Sequence, residues 1–220
     1  MNSFWQRQIK SSLKGKRGQP KKKVQEAPSV PVIEEVFETK AEESAHSRAQ
    51  AALIKLGKIT GCSIWIASND RKRIFNGKPL GEGCLKSLPN LGLNEEATRH
   101  ISLIDTIWIR QNAPACAFEV ETTTSVYSGL LRMSDLLSVV PALNVKLYLV
   151  APHERQEKVM AELSRPTFRK IGLNDFCKFI PLEELHNLLL KVDGLGGHIQ
   201  PTILDTIALE AEDETENLED

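Results

Sequence analysis

The chain has 220 residues, 41% hydrophobic and 26% charged, with a net charge of −1, which describes one globular domain of ordinary size, large enough for its own core, plus tails. No apolar run reaches the roughly 18 residues needed to cross a bilayer, and the basic start lacks the apolar stretch of a secretory signal. The four cysteines form no CxxC pair and no zinc-like cluster, so the expectation is a reduced, cytoplasmic protein with no membrane partner.

The small net charge hides a polarity. Residues 1–23 hold eight bases and no acid, and residues 205–220 hold eight acids and no base. A basic arm attracts polyanions such as nucleic acid, and an acidic tail repels them or occupies the arm; both also read as solvated tails. Near the start, Trp5, Ile9 and Leu13 recur at every fourth position, the pattern of a short amphipathic helix with basic flanks. Gly and Pro then interrupt residues 15–37 repeatedly. Residues 1–37 are therefore expected to be a basic arm and linker, largely disordered.

The folded domain is expected over residues 38–198, with 199–220 as an acidic tail. Ala45, Ala49, Ala52, Leu53 and Leu56 make one helical stripe that Gly57 or Gly61 ends. "CSIWIAS" reads as a strand, residues 69–100 as polar loop, "ISLIDTIWIR" as a second strand and "ACAFEVET" as a third. The short turn around Gln111 to Pro114 makes the last two antiparallel neighbours. A helix follows, capped by Thr124 or Ser125 and ended by Pro141. Then come the strand "VKLYLVAP", a helix that stops before Pro166, and a final strand and helix in "FCKFIPLEELHNLLLKV". Strands apolar on both faces, alternating with helices, predict an α/β fold whose sheet is covered on both sides.

Within the third strand, Cys116, Phe118 and Val120 face one way, and Ala117, Glu119 and Glu121 the other. On the paired strand, Leu103, Asp105, Ile107 and Ile109 share a face, and Asp105 is the one acid among them. If these faces coincide, three carboxylates converge. Like charges so close raise each other's pKa, and burying them is costly. A divalent cation such as Mg²⁺ or Mn²⁺ removes the conflict, because it takes hard oxygen ligands and activates water for attack on a phosphate. The competing reading places Glu119 and Glu121 in solvent on an edge strand.

Asp105 in "SLIDTIW", followed a hairpin later by Glu119-Val120-Glu121, resembles the motif of the PD-(D/E)xK, or restriction-endonuclease-like, nuclease superfamily. The element order from residue 38 to about 192 is similar too, and "FEVETTTSVYSGLLRMSDL" resembles a stretch in uncharacterised bacterial members. The resemblance implies a three-layer α/β/α fold with a mixed central sheet. It implies metal binding by Asp105 and Glu119, with Glu121 as a further ligand or base, and an acid of the first helix assisting: Glu43, or alternatively Glu42. Ile104 stands where the motif has proline, and Glu121 where it has lysine, so Arg132 in the following helix is the candidate positive group. Arginine grips phosphate but is a poor base.

His46 lies one turn from Glu42 and Glu43 and reads either as a base or ligand or as a packing residue. Asn69-Asp70-Arg71 reads first as turn chemistry, and otherwise as a phosphate or metal contact. Tyr127 and Ser128 near a helix start, and Arg165, are weaker phosphate candidates. The expectation is a metal-dependent endonuclease acting on nucleic acid, with DNA as the expected form, in bacterial defence. A homodimer or a partner subunit is left open. The alternative is an inactive nucleic-acid- or protein-binding module of the same fold.

Overall fold

The computed structural model describes residues 40–123, 126–139, 145–195 and 199–211, with side chains from residue 44 onward and excluding that of residue 139. The basic arm, the caps Thr124 and Ser125, Pro141, residues 212–220 and the side chains of Glu42 and Glu43 lie outside the described residues. The described residues all fall within the unit Val36–Asp220.

The chain opens with helix α1 (Lys40–Ile59), strand β1 (Ser63–Ile66) and a small hairpin of β2 (Ile74–Phe75) and β3 (Lys78–Pro79). Helix α2 (Glu95–Ile101) leads to β4 (Thr106–Arg110) and β5 (Ala113–Val120). Helix α3 (Val126–Val139), strand β6 (Lys146–Ala151), helices α4 (Gln156–Leu163), α5 (Pro166–Lys170) and α6 (Leu173–Phe176), strand β7 (Cys177–Pro181) and helix α7 (Leu182–Val192) follow. The main sheet has the order β1-β4-β5-β6-β7. The pairs β1/β4 and β4/β5 are antiparallel, while β5/β6 and β6/β7 are parallel. The sheet is thus mixed, with helical crossovers joining its parallel strands, as parallel pairing requires.

Alternation within the strands builds two cores. Phe118, Val120, Tyr148 and Val150 pack with Leu53, Leu56 and Leu185 on the α1 and α7 side. Ala117, Leu147, Leu149 and Phe179 pack with Leu130, Met133 and Val159 on the α3 and α4 side. This is an α/β fold with helices on both faces of a mixed sheet, the restriction-endonuclease-like architecture that the element order predicts. Trp108, Phe118 and Tyr148 run across the sheet with ring centroids 4.8 and 5.4 Å apart. Trp108 Nε1 donates to the Leu53 carbonyl at 3.1 Å, tying α1 to the sheet. The helix runs through Gly57, where a Cβ would lie 2.6 Å from Trp108 Nε1, so the absence of a side chain is what lets α1 approach so closely.

Two expectations and one competing reading are corrected. Residues 101–105 are not strand: α2 ends at Ile101 and Asp105 immediately precedes β4. Ile101 and Ile104 are buried while Leu103 is exposed, which is helical spacing rather than alternation. The Glu119 strand is not an edge but the third of five, and Glu119 has no exposure at all. Residues 199–211, expected as tail, belong to the fold. A 3₁₀ turn over Pro201–Thr206 buries Leu204, and Leu209 exchanges two main-chain hydrogen bonds with Phe179 at 2.7 and 2.8 Å. Gln111 and Asn112 both have positive φ (51° and 61°), so the β4–β5 turn is a tight two-residue hairpin. Among the described residues, no helix is long and apolar enough to cross a membrane.

Candidate active site

Asp105 sits where the chain enters β4, beside the end of β5. Its Oδ2 accepts a hydrogen bond from the Val120 amide at 2.8 Å, which pins the carboxylate across the two strand ends. Glu119, in the last turn of the β5 pleat, points to the α3 side, as Ala117 does. Its carboxylate is gripped by Arg132: Nε donates to Oε1 at 2.8 Å and a terminal nitrogen donates to Oε2 at 2.5 Å. Glu121 follows the strand. Its amide donates to the Val150 carbonyl at 2.8 Å, continuing the line of β5/β6 pairing, and its Oε1 lies 3.9 Å from Arg132. The buried Gly129 at the start of α3 gives these acids room, since a Cβ there would lie 2.6 Å from Glu121 Oε1 and 3.2 Å from Glu119 Cβ.

The electrostatics are those of crowded acids. Burial, then the charge of Asp105, pushes the Glu119 carboxyl well above its usual range, against the pull of Arg132. The same two causes raise Glu121 to about 8, with Arg132 again opposing. Burial raises Asp105 as well, opposed by His46 and Arg132. Buried acids whose pKa values are raised by burial and by one another's charge make this cluster the candidate functional site.

On the far side of Asp105 stand two residues that the sequence offered as weaker candidates. His46 of α1 has Nε2 at 3.7 Å from Asp70 Oδ2 and 3.9 Å from Asp105 Oδ2. Asp70 does sit in a turn, as its neighbours suggest, yet it is only 5% exposed. Gln50 Nε2 donates to Asp70 Oδ2 at 2.7 Å, and Arg73 Nε lies 2.9 Å from Asp70 Oδ1. Burial opposes the charge of His46, but the Asp70 and Asp105 carboxylates outweigh it and raise its pKa. Burial would raise Asp70, but His46, Gln50 and Arg73 hold it below the usual carboxylate range.

The structure therefore brings Asp105, Glu119, Glu121 and Arg132 together, and adds His46, Asp70 and Gln50. The side chain of Glu43 lies outside the described residues. Arg165 is not at the site: it pairs with Glu162 at 2.8 Å and lies over the Tyr127 ring. Arg71 stacks on Trp65, 4.4 Å from the ring centroid. Sequence reasoning missed Gln50 altogether, because nothing in a helical Gln flanked by alanines marks it.

Comparison with known proteins gives this geometry a family. The family described as the C-terminal domain of the Type II restriction enzyme NmeDI matches residues 27–211, a span that holds every residue named at the site. The chain belongs to that family. It is 31% identical over 154 residues to the Type II restriction enzyme NmeDI of Neisseria meningitidis serogroup C, a stretch covering 66% of this chain and 43% of that protein. The chain thus spans less than half the length of this relative. No solved structure matches.

Proposed function

We propose that this chain is a metal-dependent nuclease of the PD-(D/E)xK type, cutting phosphodiester bonds in DNA as part of a restriction-type defence. The observation that carries the reading is the convergence of Asp105, Glu119 and Glu121 around Arg132 at the end of the central strand, in a chain of the NmeDI family. DNA as substrate and a defence role come from the relative's being a Type II restriction enzyme. Such a role belongs in the bacterial cytoplasm.

The donor set suits a hard divalent cation. Three buried carboxylates supply oxygen ligands, and their raised pKa values mark a surplus of negative charge that one guanidinium does not neutralise. Among the described residues, the donor atoms that already lie within 4.8 Å of one another are those of His46, Asp70 and Asp105; Asp105 and Glu119, with Glu121 as a further ligand or the base, would hold Mg²⁺ or Mn²⁺, which would supply Lewis acidity toward a phosphate oxygen and acidify a water. The protein's own groups do the rest. Val120 N–H fixes Asp105, and Arg132 fixes Glu119 with two bonds, so neither carboxylate must reorganise. Where Glu121 is not itself a ligand, it is the group placed to accept a proton from the attacking water. Arg132 offers the phosphate a fixed positive charge.

The test is cleavage of plasmid DNA by the full chain with Mg²⁺, with Mn²⁺ and with EDTA, alongside Asp105→Asn and Glu119→Gln. Both substitutions keep the side-chain shape. Each is expected to cut by about 10³-fold less, equivalent to roughly 4 kcal/mol of transition-state stabilisation. Undiminished cleavage by both folded variants would sink the assignment. The second reading, a binding module without turnover, is favoured by Glu121 standing where the motif has lysine. It predicts DNA retention in EDTA and no product with either ion.

A further inference from the structure

Between β1 and α2 the chain makes a long excursion, and its base is tied to the outer edge of β1, the first strand of the sheet. Leu85 N–H donates to the Ile64 carbonyl at 2.7 Å. Arg71 donates to the carbonyls of Ile66, at 3.2 Å, and Leu85. The middle of the excursion is the β2–β3 hairpin, closed by Asn76 and Gly77 with φ of 50° and 76°. So tight a turn makes a narrow two-stranded ribbon. One side of the ribbon is anchored, since Phe75 and Leu80 line a cleft with Ile54 and Lys58 of α1.

The other side is bare. Exposure alternates over residues 71–75: Lys72 and Ile74 are exposed, while Arg71, Arg73 and Phe75 are half-buried. Ile74 is 64% exposed, and its cross-strand neighbour Pro79 is exposed too. Residues 71–80 hold four bases and no acid. Three of the four are engaged within the fold: Arg71 stacks on Trp65, Arg73 lies 2.9 Å from Asp70 Oδ1, and Lys78 meets Glu82 at 3.1 Å. Lys72 gives its charge to the outward face. It also stands beside the candidate site, because it follows Asp70 by two residues and their Cα atoms are at most about 7.6 Å apart. A DNA strand advances about 3.4 Å per nucleotide, so Lys72 can reach a phosphate a few steps from the cut.

We infer that the β2–β3 hairpin is the arm by which this chain enters the major groove of duplex DNA beside the cut, with Lys72 on a flanking phosphate and Ile74 against the base edges. The major groove admits a two-stranded β-ribbon, and an apolar side chain there packs on thymine methyl groups. Phosphate contacts such as that of Lys72 set the register. Charge selects DNA over a second copy of this chain, because a face of bases without acids repels its own image across a two-fold axis. The inference rests on the nuclease reading for its duplex, and not on the metal.

The test is fluorescence anisotropy of a labelled mixed-sequence duplex, titrated with the full chain in Ca²⁺ over a range of salt, with thermal melting to confirm folding. Lys72 and Ile74 are exposed, so their variants are expected to fold. Lys72→Ala is expected to weaken binding about tenfold near 0.1 M salt and to reduce the slope of log K against log salt by about 1. Ile74→Ser is expected to weaken it roughly fivefold with that slope unchanged. Lys170→Ala, in α5 on the other side of the sheet, is expected to change neither. No binding by folded wild type, wild-type binding by either hairpin variant, or an equal loss in Lys170→Ala would overturn the inference. Should Ile74→Ser bind as wild type does but break up a dimer in size-exclusion chromatography, the face belongs to a second copy instead. Plasmid cleavage in Mg²⁺ on the same samples separates the two readings. Hairpin-dependent binding without cleavage by any sample keeps the arm and removes the nuclease. Cleavage with binding unaltered by Lys72→Ala and Ile74→Ser does the reverse.

Discussion

Two polar clusters interrupt the apolar sheet, at opposite ends of its central parallel strands, and they are built on opposite principles. At the start of β6, Asp205 accepts from Lys146 and, at 2.9 Å, from the Tyr148 hydroxyl. One acid meets one base and one hydroxyl, and every group has a partner. At the end of β5, Asp70, Asp105, Glu119 and Glu121 face Arg132, Arg73 and His46. Here His46 Nε2 and Gln50 Oε1 are among the buried atoms with no hydrogen bond among the described residues. A polar group buried only for structure is normally satisfied. An excess of buried acid is a cost to the fold, and the proposed cation would offset it.

Replacing one of the crowded acids should reveal that cost. Glu121→Gln removes a carboxyl that the fold raises to about 8. A raised pKa means that the contribution of Glu121 to stability is complete below the usual carboxylate range and lost as pH climbs through about 8. Glutamine does not titrate. In EDTA, the variant is therefore expected to gain on wild type between about pH 5 and pH 8.5, by on the order of a few kcal/mol at 1.36 kcal/mol per unit. Melting temperatures across that range check it, and a difference that stays flat with pH would mean the acid is not strained. The next effect is steric. Gly129→Ala puts a methyl 2.6 Å from Glu121 Oε1. Overpacking costs about 1–3 kcal/mol, of which the better helix propensity of alanine returns up to about 1 kcal/mol. Urea unfolding should show a net loss, with cleavage falling further than stability; a stabilised variant would contradict the close packing of α3 on the acids.

Much of the acidic cluster was legible because strand alternation is a local rule. It places Glu119 with Ala117 and away from Phe118, and that holds. Arg132 was legible from its distance into the next helix. The His46 side was not, since His46, Gln50, Asp70 and Asp105 come from a helix, a turn and a strand entrance that meet only after α1 folds over β1 and β4. Asn69-Asp70-Arg71 was correctly a turn, yet turn chemistry says nothing of where a turn lands. Residues 101–105 misled because Ile101, Leu103 and Ile104 fit an apolar strand as well as a helix end, and only the exposure of Leu103 decides between them. Asp205 misled for the opposite reason: counted among tail acids, it has a carboxylate that joins the fold.

That residue supplies the smallest test and the cleanest contrast. Burial would raise the Asp205 carboxyl, but the hydrogen bonds from Lys146 and Tyr148 outweigh this and hold it below the usual carboxylate range. A lowered pKa contributes stability above the usual range, and that stability is lost as pH falls through the folded-state value. Asp205→Asn should therefore cost stability at pH 7 and progressively less as pH falls through the folded-state value, below which both proteins carry a neutral side chain. The Asp205 side chain is 33% exposed, so solvent screens the pair and the cost should stay near or below about 1 kcal/mol. DNA cleavage should not change, because the matched cluster lies at the opposite end of the strands. A pH trend opposite in sign to that of Glu121→Gln would confirm that one cluster stabilises the sheet while the other is held against its own repulsion; the same sign at both ends would erase the distinction.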